Sequence, residues 1–406
     1  MSTGNSSIIS GSDMFLDEEN CVDFNDVYQD PSSSTLAMII FGIIYGQIFL
    51  LGLVGNISMM FLTLRHRDLQ TVQNIFILNL AMSDVIICLL SVPITPITNI
   101  FKTWFFGPWI CHLLPFVQAV SVFVSTFSLS AIAIDRYNLV ARPHAHLLNP
   151  RGAIIVATVL WILAALVSLP YCYFMKLEQY AGYCGQFCTE RWPDQNIRRG
   201  YSLILLCCQF LIPFTTMSCC YSAIFSRLKE RANSKIKKLD ERSQLLNTAI
   251  AGTPVLERDR NLSQSNLKEL SSEDKQIAQL LSKQRRTTTI LASMVLIFGL
   301  SWLPQNVITL IIEYDDTLLH TPTTNYTYII SSIAHCIAMT NNVANPILYA
   351  WLNPSFKEIL IKTFWRVMQK SASSDLTTTN TEVRATRNSQ SVVRINKSDS
   401  GTEHLV

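Results

Sequence analysis

Charged residues are scarce in this sequence. Only 15% of its 406 residues are Asp, Glu, Lys or Arg, against roughly 25% in an average soluble domain, and 49% are hydrophobic. The apolar residues form seven stretches, each long enough to cross a hydrocarbon core that needs about 20 helical residues. The stretches are residues 36–64, 74–100, 109–140, 154–174, 201–225, 290–312 and 326–352. This pattern excludes an ordinary soluble domain and predicts an all-α membrane protein, a bundle of seven transmembrane helices.

Several chemical signatures are also missing. None of the 11 cysteines belongs to a CxxC pair, so no zinc or redox framework is indicated. Residues 326–352 contain no lysine, which argues against a retinal Schiff base, and no internal repeat indicates a transporter or channel. His335 and Cys336 are adjacent on an apolar stretch without catalytic partners, an arrangement typical of packing. The sequence therefore predicts that the protein is not an enzyme, and no nucleic acid is expected as a partner.

Charge near the ends of the stretches predicts the topology. Residues 1–35 carry seven acidic side chains and no Lys or Arg, whereas basic residues crowd the segment between the fifth and sixth stretches. Because basic residues near span ends stay cytoplasmic, the N-terminus is expected outside and the C-terminus inside. Residues 1–35 lack the basic start and apolar core of a cleaved signal peptide. The sequons at Asn5 and Asn325 would then be glycosylated on a multi-pass plasma-membrane protein.

The polar segments divide the chain into three parts. Residues 1–35 are expected to form an extracellular acidic tail, and residues 36–367 the seven-helix domain with a cytoplasmic insertion at 229–286. Residues 368–406 form a Ser- and Thr-rich cytoplasmic tail that is expected to be disordered. Residues 270–286 are expected to extend the sixth helix inward. Residues 355–367 combine apolar and basic side chains at helical spacing, which predicts a short amphipathic helix on the inner leaflet.

Polar side chains occur at membrane depth, where an ionisable group at the bilayer centre costs about 2.5–3.5 kcal/mol. Asp84 lies in the middle of the second stretch, and the carboxamides Asn56, Asn341 and Asn345 lie in the first and seventh. A shared polar cluster is therefore favoured over an isolated buried acid. Whether that cluster holds an ion is a separate question.

The third stretch carries polar residues at both ends. Cys111 and Arg136 are 25 residues apart, and a helix of that length spans about 37 Å, enough to cross the membrane. Cys111, Gln118 and Ser125 repeat every seven residues and share one stripe, which is expected to face the bundle rather than lipid. Asp135 and Arg136 then lie at the cytoplasmic mouth, where, taken alone, they indicate an interfacial ion pair.

The sixth stretch places Phe298 and Trp302 close to Pro304. Proline removes a backbone hydrogen bond and bends a helix, so this bend is either static or a hinge for the cytoplasmic half. Glu313 lies 11 residues, about three turns, beyond Trp302 and on the same side near the outer end. Pro346 predicts another bend, in the seventh stretch.

Taken in order, these motifs resemble those of rhodopsin-family G-protein-coupled receptors over about residues 36–367. Each is weak alone, but every span carries one. They are Gly55-Asn56, Asn79 with Asp84, Cys111, Asp135-Arg136-Tyr137, Trp161, Pro213 with Tyr221, Phe298 with Trp302-Leu-Pro304, and Asn345-Pro346-Ile-Leu-Tyr349. Within the family, Cys188-Thr-Glu-Arg-Trp-Pro resembles the Cys-Thr-Glu-x-Trp-Pro of neuropeptide Y and invertebrate neuropeptide F receptors.

The resemblance implies a disulfide between Cys111 and Cys188, with Cys184 as the competing partner. A second bridge, Cys21–Cys184, is a further hypothesis. The resemblance also implies a pocket for an allosteric sodium ion, and no other metal or cofactor is expected. The residues that match this pocket are Asp84, Ser125, Asn341 and Asn345.

The resemblance assigns activation to the cytoplasmic half. Arg136 would engage a heterotrimeric G protein, with the inhibitory class favoured, once the sixth helix moves outward. Gln284 stands where some members carry a Glu that pairs with this arginine, so a weaker inactive lock is expected. Receptor kinases and arrestin are the implied partners of the Ser/Thr tail. The residues implied in coupling are Asp135, Arg136, Tyr221, Phe298, Pro304, Asn345, Pro346 and Tyr349.

For the ligand, the resemblance implies an extracellular amidated neuropeptide that ends in Arg-aromatic-amide. Glu313 matches an acidic position that subgroup members use for the peptide's arginine, and Gln118 and Trp302 would line the pocket floor. The alternative for Glu313 is a rim acid that adds only general attraction. Another peptide, or a small non-amine ligand, is the alternative ligand class, since Gln118 stands where amine receptors carry an Asp.

Overall fold

The computed structural model of the chain describes residues 21–27, 30–141, 148–252, 257–321, 324–352, 356–363, 365, 366 and 369. Apart from residue 369, the tail predicted to be disordered lies outside these ranges, and so does the sequon at Asn5. Most of the described chain is helical. The helices are α1 (Phe24–Val27), α2 (Thr35–Arg65), α3 (Val72–Phe101), α4 (Gly107–Ala141), α5 (Pro150–Phe174), α6 (Gln195–Leu206), α7 (Ile212–Gly252), α8 (Glu257–Tyr314), α9 (Thr327–Met339) and α10 (Asn341–Leu352).

Six helical segments of the described chain are long and apolar enough to cross a membrane. The seventh predicted span differs from them, because it is divided into α9 and α10 at Thr340, and neither piece reaches that length alone. Thr340 itself keeps right-handed helical backbone angles, and its N–H donates to the oxygen of Cys336 at 3.2 Å, so a single helical residue joins the two helices. Pro346 lies inside α10. Together α9 and α10 complete the predicted bundle of seven spans.

The fifth span also departs from a regular helix. A π-helical turn over Cys207–Leu211 separates α6 from α7, and the N–H of Ile212 donates to the carbonyl of Cys207 five residues earlier. The next residue is Pro213, which has no N–H to offer to the carbonyl four residues before it. A wider turn before a proline accommodates this missing donor, and such turns often occur at functional sites.

Polar N-cap residues explain where the spans begin. A side-chain oxygen at each cap accepts a hydrogen bond from a backbone N–H of the first turn, which the helix itself leaves unpaired. The capping residues are Ser34 for α2, Thr71 for α3, Asn149 for α5 and Asp194 for α6.

A short β-hairpin follows the fourth span, which the sequence analysis did not predict. Strand β1 (Met175–Glu178) pairs antiparallel with β2 (Phe187–Glu190), with Met175 opposite Glu190. Each strand has only four residues, so the pattern of alternating side chains is too short to distinguish it from a loop. The hairpin holds the outer loop beside the third span.

The second and third spans form the centre of the bundle. In the most apolar 18 residues of each helix, 61% are buried in α3 and 67% in α4, against 17–28% in the other four spanning helices. The exposed apolar side chains of the outer spans are those that a bilayer would cover. The central position of α3 and α4 explains why the polar residues of the sequence motifs meet there.

The long polar segment between the fifth and sixth spans is largely helical. Helix α7 continues to Gly252 and α8 begins at Glu257, well before the inward extension that was expected from residue 270. In the second compact unit of the chain, residues 356–363 are helical and Lys362 pairs with Glu358. The amphipathic segment predicted after the seventh span is therefore a helix.

Candidate ligand-binding and activation sites

A cavity of about 490 Å³ opens among the outer halves of the spans. Gln118 and Trp302, which the resemblance implies as the pocket floor, line it together with side chains from α3, β2, α6, α8 and α9. Its only charged lining residues in the described chain are Lys102 and Glu190. The uncharged polar members of the lining include Thr95, Thr98, Asn99, Thr103, Gln118, Thr189, Ser202, Gln209, Gln305, Asn306 and Thr309. Such a surface suits a ligand with several hydrogen-bonding groups.

Gln118 belongs to a buried hydrogen-bond chain. Ser91 Oγ donates to Gln118 Oε1 at 3.1 Å and lies 3.1 Å from His335 Nε2. His335 Nδ1 lies 2.9 Å from the Tyr45 hydroxyl, which also donates to the backbone oxygen of Ser332. The chain links the first, second, third and seventh spans. The sequence alone indicates only packing for His335, because the partners of its ring nitrogens lie 290 and 244 residues away in the chain.

Glu190 is the acid of the cavity, a residue the sequence analysis did not select. Its Oε2 accepts a hydrogen bond of 2.7 Å from Trp192 Nε1, and the Trp192 ring stacks on Phe174 with centroids 4.1 Å apart. The surrounding protein raises the pKa of the Glu190 carboxyl because burial disfavours its charged form; the Trp192 N–H and the charge of Arg198 oppose this rise. The Cys-Thr-Glu-Arg-Trp motif thus places a carboxylate on the cavity wall.

Glu313 lies outside the cavity lining and already has a cationic partner. Arg198 Nε donates to both of its carboxylate oxygens at 2.8 Å, and Arg198 Nη2 lies 2.8 Å from Oε2. Only 8% of the Glu313 side chain is exposed, against 24% for Arg198. The carboxylate of Glu313 is therefore already paired within the chain.

The neighbouring Arg199 strengthens the same contact between the fifth and sixth spans. Its Nε donates to the backbone oxygen of Glu313 at 3.2 Å, and its guanidinium lies 5.2 Å from the centre of the Tyr314 ring. Cations are favoured at a helix C-terminus, where backbone carbonyls lack intrahelical donors. Two consecutive arginines at the start of α6 therefore hold the end of α8.

Asp84 lies in the polar cluster that the sequence predicted. Asn345 Nδ2 donates to Asp84 Oδ2 at 2.9 Å, and Ser125 Oγ lies 2.8 Å from Ser83 Oγ. Four oxygens of the cluster are buried without a hydrogen-bond partner among the described residues: Asp84 Oδ1, Asn56 Oδ1, Asn341 Oδ1 and Asn345 Oδ1. Buried oxygens without donors are costly unless a cation or water meets them. Oxygen ligands are also those that a hard cation takes, so the donor set fits sodium.

Several residues that the resemblance implies in coupling, on the side predicted to be cytoplasmic, are buried. Arg136 pairs with Asp135 at 3.1 Å, and its Nε is buried without a partner among the described residues. Tyr221 and Tyr349 are buried. Phe298 is buried as well, with its ring centre 6.2 Å from that of Trp302.

Two other arginines join span ends on this side. Arg231 Nη2 donates to the backbone oxygen of Val140 at 2.6 Å, and Arg286 Nη2 donates to that of Trp351 at 3.4 Å. These bonds link α7 to the end of α4 and α8 to the end of α10. Gln284, where the sequence analysis noted the missing acid, accepts through its backbone oxygen from Thr288 of the same helix.

Two disulfides cross the outer face. Cys111–Cys188 joins the third span to β2, which confirms the prediction. Cys21–Cys184 also forms, in agreement with the second bridge considered from sequence. The residues after Cys21 stay close to the bundle, since the Val22 N–H donates to Gly182 O at 3.0 Å and Lys102 Nζ donates to Asn25 Oδ1 at 2.7 Å. The start of the described chain is thus held against the cavity mouth.

Asn325, the described residue of the two predicted glycosylation sites, is 9% exposed. Its Oδ1 accepts a hydrogen bond of 2.8 Å from the N–H of Thr327 at the beginning of α9. The side chain therefore acts as a local turn-forming group.

Comparison with known proteins agrees with the motifs. Residues 55–349 match the model of the 7 transmembrane receptor (rhodopsin family). Over 363 residues the chain is 46% identical to the neuropeptide receptor npr-1 of Caenorhabditis elegans, covering 87% of this chain and 78% of that protein. It is 30% identical to the neuropeptide F receptor of Drosophila melanogaster, covering 84% of this chain and 65% of that receptor. It is 30% identical to the neuropeptide Y receptor type 1 of Xenopus laevis, covering 87% and 85%.

Proposed function

The chain belongs to the rhodopsin family of seven-transmembrane receptors, in its neuropeptide Y/F group, and from this premise we propose that it binds an amidated neuropeptide ending in Arg-aromatic-amide. It is a multi-pass membrane protein of a family of receptors rather than enzymes. We place it in the plasma membrane with its N-terminus outside, as the charge distribution predicts. Its partners are the peptide, a heterotrimeric G protein of the inhibitory class, receptor kinases and arrestin.

The observation that carries this proposal is the acidic cluster beside a polar cavity. Glu190 lies on the wall and Glu313 lies at the outer end of α8, with Arg198 bonded to Glu313. Arg198 and Arg199 bind Glu313, so the carboxylate of Glu190 on the cavity wall, which accepts one hydrogen bond from Trp192, is the acid open to a ligand's arginine. A guanidinium bound there would form charge-assisted bidentate hydrogen bonds, which are about twice as strong as neutral ones.

The floor of the cavity suits the rest of such a peptide end. Gln118 Oε1 already accepts from Ser91, so its Nε2 has donors for a ligand carbonyl. Trp302 offers an aromatic face below. A terminal carboxamide brings no charge into the cavity, whereas a free carboxylate would have to lose its hydration shell there.

Activation is proposed as a population shift. The peptide binds more tightly to the conformer in which the cytoplasmic half of α8 has moved outward about Pro304, and so it raises the population of that conformer. Arg136, now paired with Asp135, is then exposed to the G protein. Tyr221, Asn345, Pro346 and Tyr349 stabilise the rearranged inner half. Asp84, Ser125, Asn341 and Asn345 would hold a sodium ion, whose charge would favour the inactive conformer.

The experiment is G-protein activation in cells that express the chain. Arg-Phe-amide and Arg-Tyr-amide peptides, each with an Arg→Ala analogue, are tested on wild type, Glu190→Ala and Glu313→Ala. The proposal expects responses to the Arg-containing peptides alone, with potency lowered at least about tenfold by either substitution. Glu178→Ala is the matched control, since Glu178 pairs with an exposed arginine on the same hairpin. No response to the panel from receptors at the cell surface would contradict the proposed ligand.

A further inference from the structure

The Arg198–Glu313 pair has the chemistry of a ligand contact formed within the receptor. Both oxygens of Glu313 accept from one guanidinium at 2.8 Å, the geometry a peptide arginine would use. Arg198 stands at the beginning of the fifth span and Glu313 at the end of the sixth, 115 residues apart. The acid expected to hold the peptide is therefore already bound by an arginine of the chain.

A second acid lies within electrostatic reach of the same arginine. The charge of Arg198 opposes the rise in the pKa of the Glu190 carboxyl, and the hydrogen bond that Arg198 donates to Glu313 is the main cause of the raised pKa of Arg198. Glu190 lines the cavity, so Arg198 feels the charge of an acid on the cavity wall as well as that of the acid it binds at the helix end. When a peptide arginine enters, Arg198 can turn toward Glu190 without being left unpaired.

We propose that Arg198 is an internal substitute for the ligand's arginine, which leaves Glu313 when the peptide binds and so sets the receptor's affinity for cationic peptide ends. The inference rests on the proposed function, because it requires a peptide with a cationic side chain near its end. The exchange replaces one bidentate guanidinium–carboxylate pair by another. Glu313, which is largely buried, keeps a guanidinium partner both before and after the exchange. A buried carboxylate without a cationic partner would be costly.

Exchange also gives the pair a role in selectivity. A peptide without a cation cannot replace Arg198 on Glu313, since it would leave that carboxylate without its charged donor. A lysine-ended peptide would make a single contact in place of a bidentate one. Arg198 therefore lowers the affinity for arginine-ended peptides by competition, and it leaves the affinity for neutral peptide ends unchanged.

The test is a double-substitution cycle at Arg198 and Glu313. Peptide potency is measured for wild type, Arg198→Ala, Glu313→Ala and the double variant, with surface expression quantified in parallel. Arg198→Ala is expected to raise the potency of Arg-Phe-amide or Arg-Tyr-amide peptides about five- to tenfold, because Glu313 then has no internal competitor. In the Glu313→Ala background, Arg198→Ala is expected to leave the potency of these peptides unchanged. The potency of the Arg→Ala peptides is expected to stay unchanged when Arg198 is replaced, whether or not Glu313 is present.

Arg191→Ala is the control for loss of a positive charge on the outer face, because Arg191 is 59% exposed and pairs with Glu178. Arg198→Gln, which removes the charge and keeps a hydrogen-bond donor, replaces Arg198→Ala if the latter does not reach the surface. A response of wild type to the panel without a gain in either Arg198 variant would overturn this inference and leave the proposed function standing. Silence of wild type and of both variants would overturn both, whereas a response gained only by an Arg198 variant would support both.

Discussion

Asn56 on α2 donates to the one backbone oxygen in α10 that Pro346 leaves without its helical donor. Its Nδ2 lies 2.9 Å from the oxygen of Asn342, four residues before the proline, and 2.8 Å from the oxygen of Gly52 in its own helix. Proline has no N–H to offer to that carbonyl. The carboxamide of Asn56 therefore joins the first span to the seventh at the turn before Pro346.

Replacing Asn56 by alanine is expected to destabilise the receptor. The buried oxygen of Asn342 would lose its donor in a medium without water, which costs about 1–3 kcal/mol. The thermal unfolding midpoint of the purified receptor measures the effect. Gln70→Ala is the control, because Gln70 donates to the oxygen of Leu64 from an exposed position, and its midpoint should stay near wild type. Equal shifts for both variants would contradict the role given to Asn56.

A glycine allows this contact to form. A Cβ added at Gly55 would lie 2.9 Å from Pro346 Cβ, closer than side chains approach, whereas a Cβ added at Gly46 on the same helix meets nothing within 4 Å. Gly55→Ala is expected to separate α2 from α10 and cost about 1–3 kcal/mol. Gly46→Ala is the matched control and should keep or slightly raise stability, since alanine favours helix over glycine. The thermal unfolding midpoints of the two variants measure the effect. A midpoint of Gly55→Ala equal to that of wild type would show that α2 and α10 can move apart without cost.

The sodium proposal predicts a salt effect that depends on Asp84. Replacing sodium in the assay buffer by a large organic cation at constant ionic strength should raise the affinity of an agonist peptide for wild type. The reason is that bound sodium would stabilise the inactive conformer, whereas the agonist binds the active conformer more tightly, so each lowers the affinity for the other. Asp84→Asn should remove this dependence, because a neutral amide no longer attracts the ion. Peptide binding measured in the two buffers checks this, and an unchanged sodium dependence in Asp84→Asn would exclude Asp84 as a ligand.

Basal signalling is expected to rise when Arg286 is replaced by alanine. The guanidinium of Arg286 donates to Trp351 O and holds the inner part of α8 near the end of α10, in a receptor that has Gln284 in place of an acid. Loss of this exposed bond should raise peptide-independent G-protein activation modestly, about twofold, since exposed contacts contribute at most about 1 kcal/mol. Arg285→Ala, at a neighbouring exposed position, is the control. Equal basal activity in both variants at matched surface expression would show that this bond does not restrain α8.

Much of this molecule could be predicted from its sequence because the relevant signals are local. Hydrophobic length, proline positions and N-cap residues act within one helix, and charge near span ends acts on one loop. The seven spans and the Cys111–Cys188 disulfide follow from such signals together with the family resemblance. The division of the seventh span at Thr340 does not, because no proline or glycine marks that residue.

The sequence by itself determined that the chain crosses the membrane seven times, because each apolar stretch must satisfy its own backbone in lipid. It also identified the polar residues that need partners there. Only the tertiary structure decided which residues those partners are. Arg198 meets Glu313, Ser91 meets both Gln118 and His335, and Glu190 reaches the cavity wall. These contacts join residues far apart in the chain, and helix packing, which no local pattern encodes, brings them within hydrogen-bonding distance.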